Sequence, residues 1–240
     1  MQIGVREGDL ITLKRQERLK QMTLRRSLSA LALAICTFSA TGCDNWSFDL
    51  KTPGALEESG DRKYQAGDYE GAIDDYEQLI ERYPDIPRGY TRRSAARGKL
   101  GFHEEALKDV TKAIEIGTDD PWAYNNHAVL LLQSGGESPE SFEEALKSVS
   151  RAIEIDSEIP KFYLNRAIIR HNMKDLDGAM TDLTTILDRD ENHSDALRIR
   201  GSIYAELVIV PSACADWKKA SSLGDEQSTY YLQANSEVCK

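Results

Sequence analysis

The side chains able to carry chemistry are few and scattered. Four histidines, His103, His127, His171 and His193, show none of the short spacings that set two imidazoles on one metal ion. The carboxylate pairs Asp74-Asp75, Asp119-Asp120 and Glu143-Glu144 are chain neighbours. That arrangement suits charged faces and first turns favoured by the helix dipole better than an acid and a base facing one substrate. No GxSxG, HExxH or Gly-rich phosphate loop occurs. The expectation is a non-enzyme with no cofactor, no catalytic residue and no metal. Cysteine chemistry is more informative. Cys36 lies inside an apolar run and Cys43 follows two small residues, which leaves Cys214 and Cys239 as an even pair. A disulfide between them would tie the last segment to the helices before it, with two unpaired buried thiols as the alternative.

The first 42 residues differ in composition from the rest. The whole chain has 30 Lys+Arg and 40 Asp+Glu; removing the seven basic and three acidic residues of positions 1–42 leaves a balance of −14. So acidic a body repels phosphate backbones, and no nucleic-acid partner is expected. A basic stretch ending in Arg25-Arg26 precedes the apolar run Leu28 to Phe38, too short for a membrane span but suited to a signal peptide. Ala40-Thr41-Gly42-Cys43 then resembles the bacterial lipobox, with Ala40 where Leu is usual. The resemblance implies lipid on Cys43, a new N-terminus there, and an extracytoplasmic, membrane-anchored protein. Asp44 leans towards the inner membrane by enteric-type sorting. An ordinary secretory signal is the alternative, and Met22 is a second possible start.

Beyond this leader the chain repeats itself. Gly67-Asp68-Tyr69-Glu70-Gly71-Ala72 recurs 34 residues later as Gly101-Phe102-His103-Glu104-Glu105-Ala106. The alanine returns at Ala145, Ala179 and Ala213. Four residues after each stands a larger apolar group (Tyr76, Val110, Val149, Leu183, Trp217), and three further on Leu79, Ala113, Ala152, Ile186 and Ala220. Spacings of four and three fall on one helix face. Each recurrence is therefore predicted to carry one amphipathic helix, and the chain's resemblance to the tetratricopeptide-repeat family implies two antiparallel helices per repeat. The first helices span about 55–66, 88–100, 122–133, 161–172 and 195–207; their partners span about 69–82, 103–116, 140–155, 176–188 and 212–222. A cap helix is predicted at about 225–235, since an array of repeats needs a polar end. Pro87, Pro121, Pro139, Pro160 and Pro211 sit at or near helix starts.

With these residues in register, 53–223 resembles the tetratricopeptide-repeat family. Its small position 8 is Gly60, Ser94, Ala128, Ala167 and Gly201 here, and its position 4 is Leu56, Tyr90, Tyr124, Tyr163 and Leu197. Its closing Pro survives only as Pro84. The resemblance implies an all-α solenoid of about five repeats over 55–223, a cap over 224–240, and a linker over 43–54 after the leader 1–42. It also implies a concave groove lined by the first helices, where a protein or extended peptide binds. The groove positions hold Arg88, Arg92 and Lys99, then Trp122, Asn125, Asn126 and Val129. Lys161, Leu164, Asn165, Ile168 and His171 follow, with Arg198 and Ser202 in the last repeat. Asn126 and Asn165 share the position that contacts a peptide backbone in relatives; bridging neighbouring helices is the alternative role. Lys161 and Asn165 match the carboxylate clamp of chaperone-binding relatives in part, Asn165 replacing a basic residue. Two features depart from the pattern. Gly135-Gly136-Glu137-Ser138-Pro139 lengthens repeat three by five residues, and Val208-Ile209-Val210 replaces the turn glycine of repeat five. Those three apolar residues are expected to pack beneath the cap, or else to form a patch for a partner. The function implied is a membrane-anchored adaptor or scaffold of the cell envelope; the alternative is a structural accessory subunit locked into an envelope complex.

Overall fold

Proline opens five of the helices. Pro53, Pro87, Pro121, Pro139 and Pro160 each occupy the first helical position, where the missing N–H is one that no helical carbonyl would have accepted. In the computed structural model, residues 52–134 and 138–240 are described, and among them there are eleven α-helices. These are α1 Pro53–Gln65, α2 Tyr69–Arg82, α3 Pro87–Lys99, α4 His103–Ile116, α5 Pro121–Gln133 and α6 Pro139–Ile155. They continue with α7 Pro160–Asn172, α8 Leu176–Arg189, α9 Ser194–Glu206, α10 Val210–Ser222 and α11 Glu226–Ala234. The predicted pairs are all present, and most first helices begin a residue or two early because the proline itself starts them. The predicted linker accordingly ends at Thr52, whose hydroxyl accepts from Ala55 N and caps α1. The leader, Cys43 and positions 135–137 of the insertion lie outside the described residues.

Helices pair as α1/α2, α3/α4, α5/α6, α7/α8 and α9/α10, with α11 laid on α10. Close approach within a pair depends on the small residue facing a large one. A Cβ on Gly60 would overlap the Tyr76 ring, and one on Gly201 would stand 2.7 Å from the Trp217 ring. Ser94 reaches the same face by donating to the Ala106 carbonyl at 2.8 Å. Ala72, Ala106, Ala145, Ala179 and Ala213 are all buried.

A polar ladder also runs through the pairs. Arg93 grips Asp109 with two hydrogen bonds, at 2.6 and 2.9 Å, and Arg97 adds a third at 2.6 Å. Arg166 and Arg170 do the same to Asp182, and Arg200 to Asp216. In repeat one Ser59 and Lys63 meet Asp75, each at 2.7 Å. Repeat three alone uses a neutral pair there: His127 Nδ1 lies 2.9 Å from Ser148 Oγ.

The left-handed turn position is Gly67 and Gly101 in the first two repeats but Lys174 and Val208 in the last two, with φ near +64° and +62°. One expectation is corrected at this turn. Only Val210 packs towards the cap, beside Cys214, Cys239 and Tyr231. Leu207, Val208 and Ile209 are exposed, because a left-handed residue between two helices turns its side chain outward. Cys214 and Cys239 are bridged with Cα atoms 5.3 Å apart, so the tail is tied to α10. Among the described residues no helix is long and apolar enough to cross a membrane.

Candidate functional site

The first helices α1, α3, α5 and α7 stand side by side, and their common face holds a hollow of about 470 Å³. Its floor belongs to α3. Thr91, Ala95 and Gly98 lie on one stripe of that helix at spacings of four and three, and all are small. One wall is Asp61 and Tyr64 of α1 with the ring of Tyr76 behind them; the other is Trp122 and Val129 of α5. Trp122 is 44 % exposed and held edge-on by Phe162, with ring centroids 5.0 Å apart. Its entry into α5 is fixed by Asp120, whose carboxylate accepts from Trp122 N at 2.9 Å.

Charge is unevenly matched around the hollow. Arg92 faces Asp61 at 3.5 Å, and Asp61 also accepts the Tyr76 hydroxyl at 2.6 Å. Burial and that bond to Asp61 push the Tyr76 phenol well above its ordinary range, so it remains a donor. Lys99 and Lys161, by contrast, line the hollow with no ion-pair partner among the described residues. Deeper in, Asn165 Nδ2 donates to Asn125 Oδ1 at 2.7 Å, linking α7 to α5. Asn165 is only 9 % exposed, and its own Oδ1 receives no hydrogen bond from the described residues.

Of the predicted groove residues, Arg92, Trp122, Asn125, Asn126, Lys161 and Asn165 meet in this hollow, as do Lys99 and Val129. Arg88 lies outside it, 3.4 Å from Glu57. Ile168 is exposed on α7 outside the hollow. Arg198 is diverted to structure: it holds Asp195 at 2.7 Å and Asp225, the cap residue of α11, at 3.2 Å. The sequence reading overlooked Asp61 and Tyr64 from repeat one and the small floor of α3. The signal for both was available in the repeat positions, which place Asp61 and Ala95, and likewise Tyr64 and Gly98, at equivalent sites.

The sequence model of the tetratricopeptide repeat matches residues 60–85. A heat shock protein sti1 homolog of Schizosaccharomyces pombe is 34% identical over 83 residues, covering 33% of this chain and 14% of that protein. Small glutamine-rich tetratricopeptide repeat-containing protein 2 of Mycosarcoma maydis is 30% identical over 87 residues, 36% of this chain and 25% of that one. The chain thus spans a quarter or less of these relatives. The crystal structure of YrrB, a TPR protein with an unusual peptide-binding site, superposes with a TM-score of 0.63 at 17% identity, covering 77% of this chain and 93% of that one. The likeness of YrrB is one of fold.

Proposed function

We propose that this chain, a tetratricopeptide-repeat protein, is a membrane-anchored adaptor that holds an extended segment of another protein in its concave groove. The observation that carries the reading is the hollow shared by four first helices, where Lys99, Lys161 and the Asn165 carbonyl stand without partners among the described residues. An extended peptide offers carboxylates for the first two and backbone N–H groups for the third. YrrB is an example of a peptide-binding site on this fold. The anchor is lipid on Cys43, and the place of action is the extracytoplasmic face of a bacterial membrane. Tethering there raises the effective concentration of whatever the groove holds. No catalytic step is assigned.

Crosslinking followed by pull-down from intact cells tests the groove. Replacing Arg92, Asn126 and Lys161 with Ala is expected to lose a defined set of partners that the native chain captures; an unchanged set would move the binding surface elsewhere. Cys43→Ser is expected to shift the protein to the soluble fraction, and continued membrane attachment would remove the lipid anchor from the proposal. A second reading, an accessory subunit locked into a complex, draws on the exposed Leu207, Val208 and Ile209. The two differ in exchange, since an adaptor releases labelled partner to excess unlabelled partner and a locked subunit does not.

A further inference from the structure

The geometry points to the class of segment that the groove takes: an internal stretch in which one aromatic side chain is flanked on both sides by carboxylates. This rests on the groove reading above and adds a sequence preference to it.

The aromatic part follows from the floor of α3. At the positions where Thr91, Ala95 and Gly98 stand, α5 carries Asn125, Val129 and Leu132, and α7 carries Leu164, Ile168 and His171. Among the middle helices α3 alone is small at all three, so the hollow deepens there into a well. The well is bounded by the rings of Tyr64, Tyr76 and Trp122 and by Val129 and Leu130. The half-buried Tyr64 and the exposed Trp122 favour a flat apolar side chain, which gains ring–ring contact beyond the area it buries, while Tyr76, 1 % exposed, backs the well.

The acidic part follows from the two unpaired lysines. In a chain whose formal charge is −10, an ion-pair partner would be easy to supply, and yet Lys99 and Lys161 have none among the described residues. They stand at opposite ends of parallel helices: Lys99 is the last residue of α3 and Lys161 the second of α7. That axial offset of eleven helical positions is about 16 Å, and because α5 stands between α3 and α7 two interhelical steps, together ~18 Å, widen the span to about 24 Å, the reach of roughly seven extended residues. Along the helix axis the stripe Thr91, Ala95 and Gly98 falls between the level of Lys161 and that of Lys99. A segment crossing the hollow therefore meets a cation, then the well, then the second cation. Asn165, a lining residue 9 % exposed, receives no hydrogen bond at Oδ1 from the described residues, which leaves that oxygen to accept a backbone N–H of the segment.

The test uses the full chain and a fluorescein-labelled peptide capped at both ends, Glu-Glu-Ala-Trp-Ala-Glu-Glu, read by anisotropy. The caps remove any terminal carboxylate. Replacing Trp with Ala in the peptide is expected to weaken binding about tenfold, as burial of one large apolar side chain implies. Gly98→Leu is directed at filling the well, and a Cβ at Gly98 meets only Leu130 Cδ2, at 3.8 Å, an ordinary contact. This variant is expected to bind both peptides equally weakly, with unchanged helical circular dichroism; Ala95→Leu serves as a second filling variant. Lys99→Glu with Lys161→Glu is expected to abolish the advantage of the peptide over its all-Gln version. Equal binding of the Trp and Ala peptides by the native chain, or a Trp preference that survives both filling variants, overturns the inference. If it is overturned while the groove variant still loses its cellular partners, the adaptor reading stands without this preference. If those partners are retained, both fall.

Discussion

Truncating Asn165 to Ala leaves the Asn125 carbonyl buried without the donor it now has at 2.7 Å, which costs about 1–3 kcal/mol. Asn126 is more exposed and is joined to its neighbour only by a 3.5 Å contact, so Asn126→Ala is expected to leave stability within about 0.5 kcal/mol. Urea denaturation separates the two, and equal midpoints would mean that the α5–α7 amide bond contributes nothing. The repeat positions brought Asn126 and Asn165 together as equivalents, but equivalence is not contact. The residue that Asn165 actually touches is Asn125, one place off the repeat match, and that follows only from how successive helices are rotated. His127 offers a second residue-scale test. It replaces the arginine of the ladder, and burial holds its imidazole below the ordinary value of 6.5, Glu144 at 4.0 Å offsetting this in part. The folded chain therefore binds that proton less readily than the unfolded chain. The stability this confers is complete above pH 6.5 and is lost as pH falls through the depressed folded value. The drop in urea midpoint between pH 7.5 and 5 is expected to shrink in His127→Gln, and an undiminished drop would assign the dependence to other groups.

At the scale of elements, the turn of repeat five stands apart. Val208 is a β-branched residue with φ near +62° and is 79 % exposed, so it takes the strained left-handed conformation without burial to offset it. Gly occupies the same place in the first two repeats. Val208→Gly is expected to raise stability by about 1 kcal/mol, the left-handed penalty less the added freedom of glycine when unfolded. A lower melting temperature would show that the side chain makes contacts worth more than the strain. The helices themselves were legible because their boundaries are chemical: prolines at first positions, Asp68 and Asp175 capping Gly71 and Gly178, glycines at the turns. The fate of Leu207 to Val210 was not legible. A run of apolar residues gives no sign of which one the turn will point inward, and here the backbone conformation at Val208 decides it. The same limit applied to Arg198. Its repeat position faces the groove, but Asp225, 27 residues on, draws it to the cap.

The described helices form a one-dimensional stack, in which each pair is supported chiefly by its neighbours, so the ends of the stack govern how it opens. At the C-terminal end α11 rests chiefly on α10, through Trp217 against Tyr231 and through the disulfide, while Arg198 of α9 holds its cap residue Asp225. The bridge closes a loop over a sequence separation of 25, which constrains the unfolded chain by about 3 kcal/mol in the chain-entropy account. Reduction, or replacement of Cys214 and Cys239 by Ser, removes that constraint from the end of the stack. The loss should not spread evenly. Hydrogen exchange is expected to quicken first in α11 and in the α10 amides beneath it, while α3 to α7 keep their protection and the groove keeps its ligand. Uniform acceleration across all helices would mean that the array unfolds as one cooperative unit. In that case the bridge would support the distant groove as much as the end it closes, and redox state would control binding through global stability.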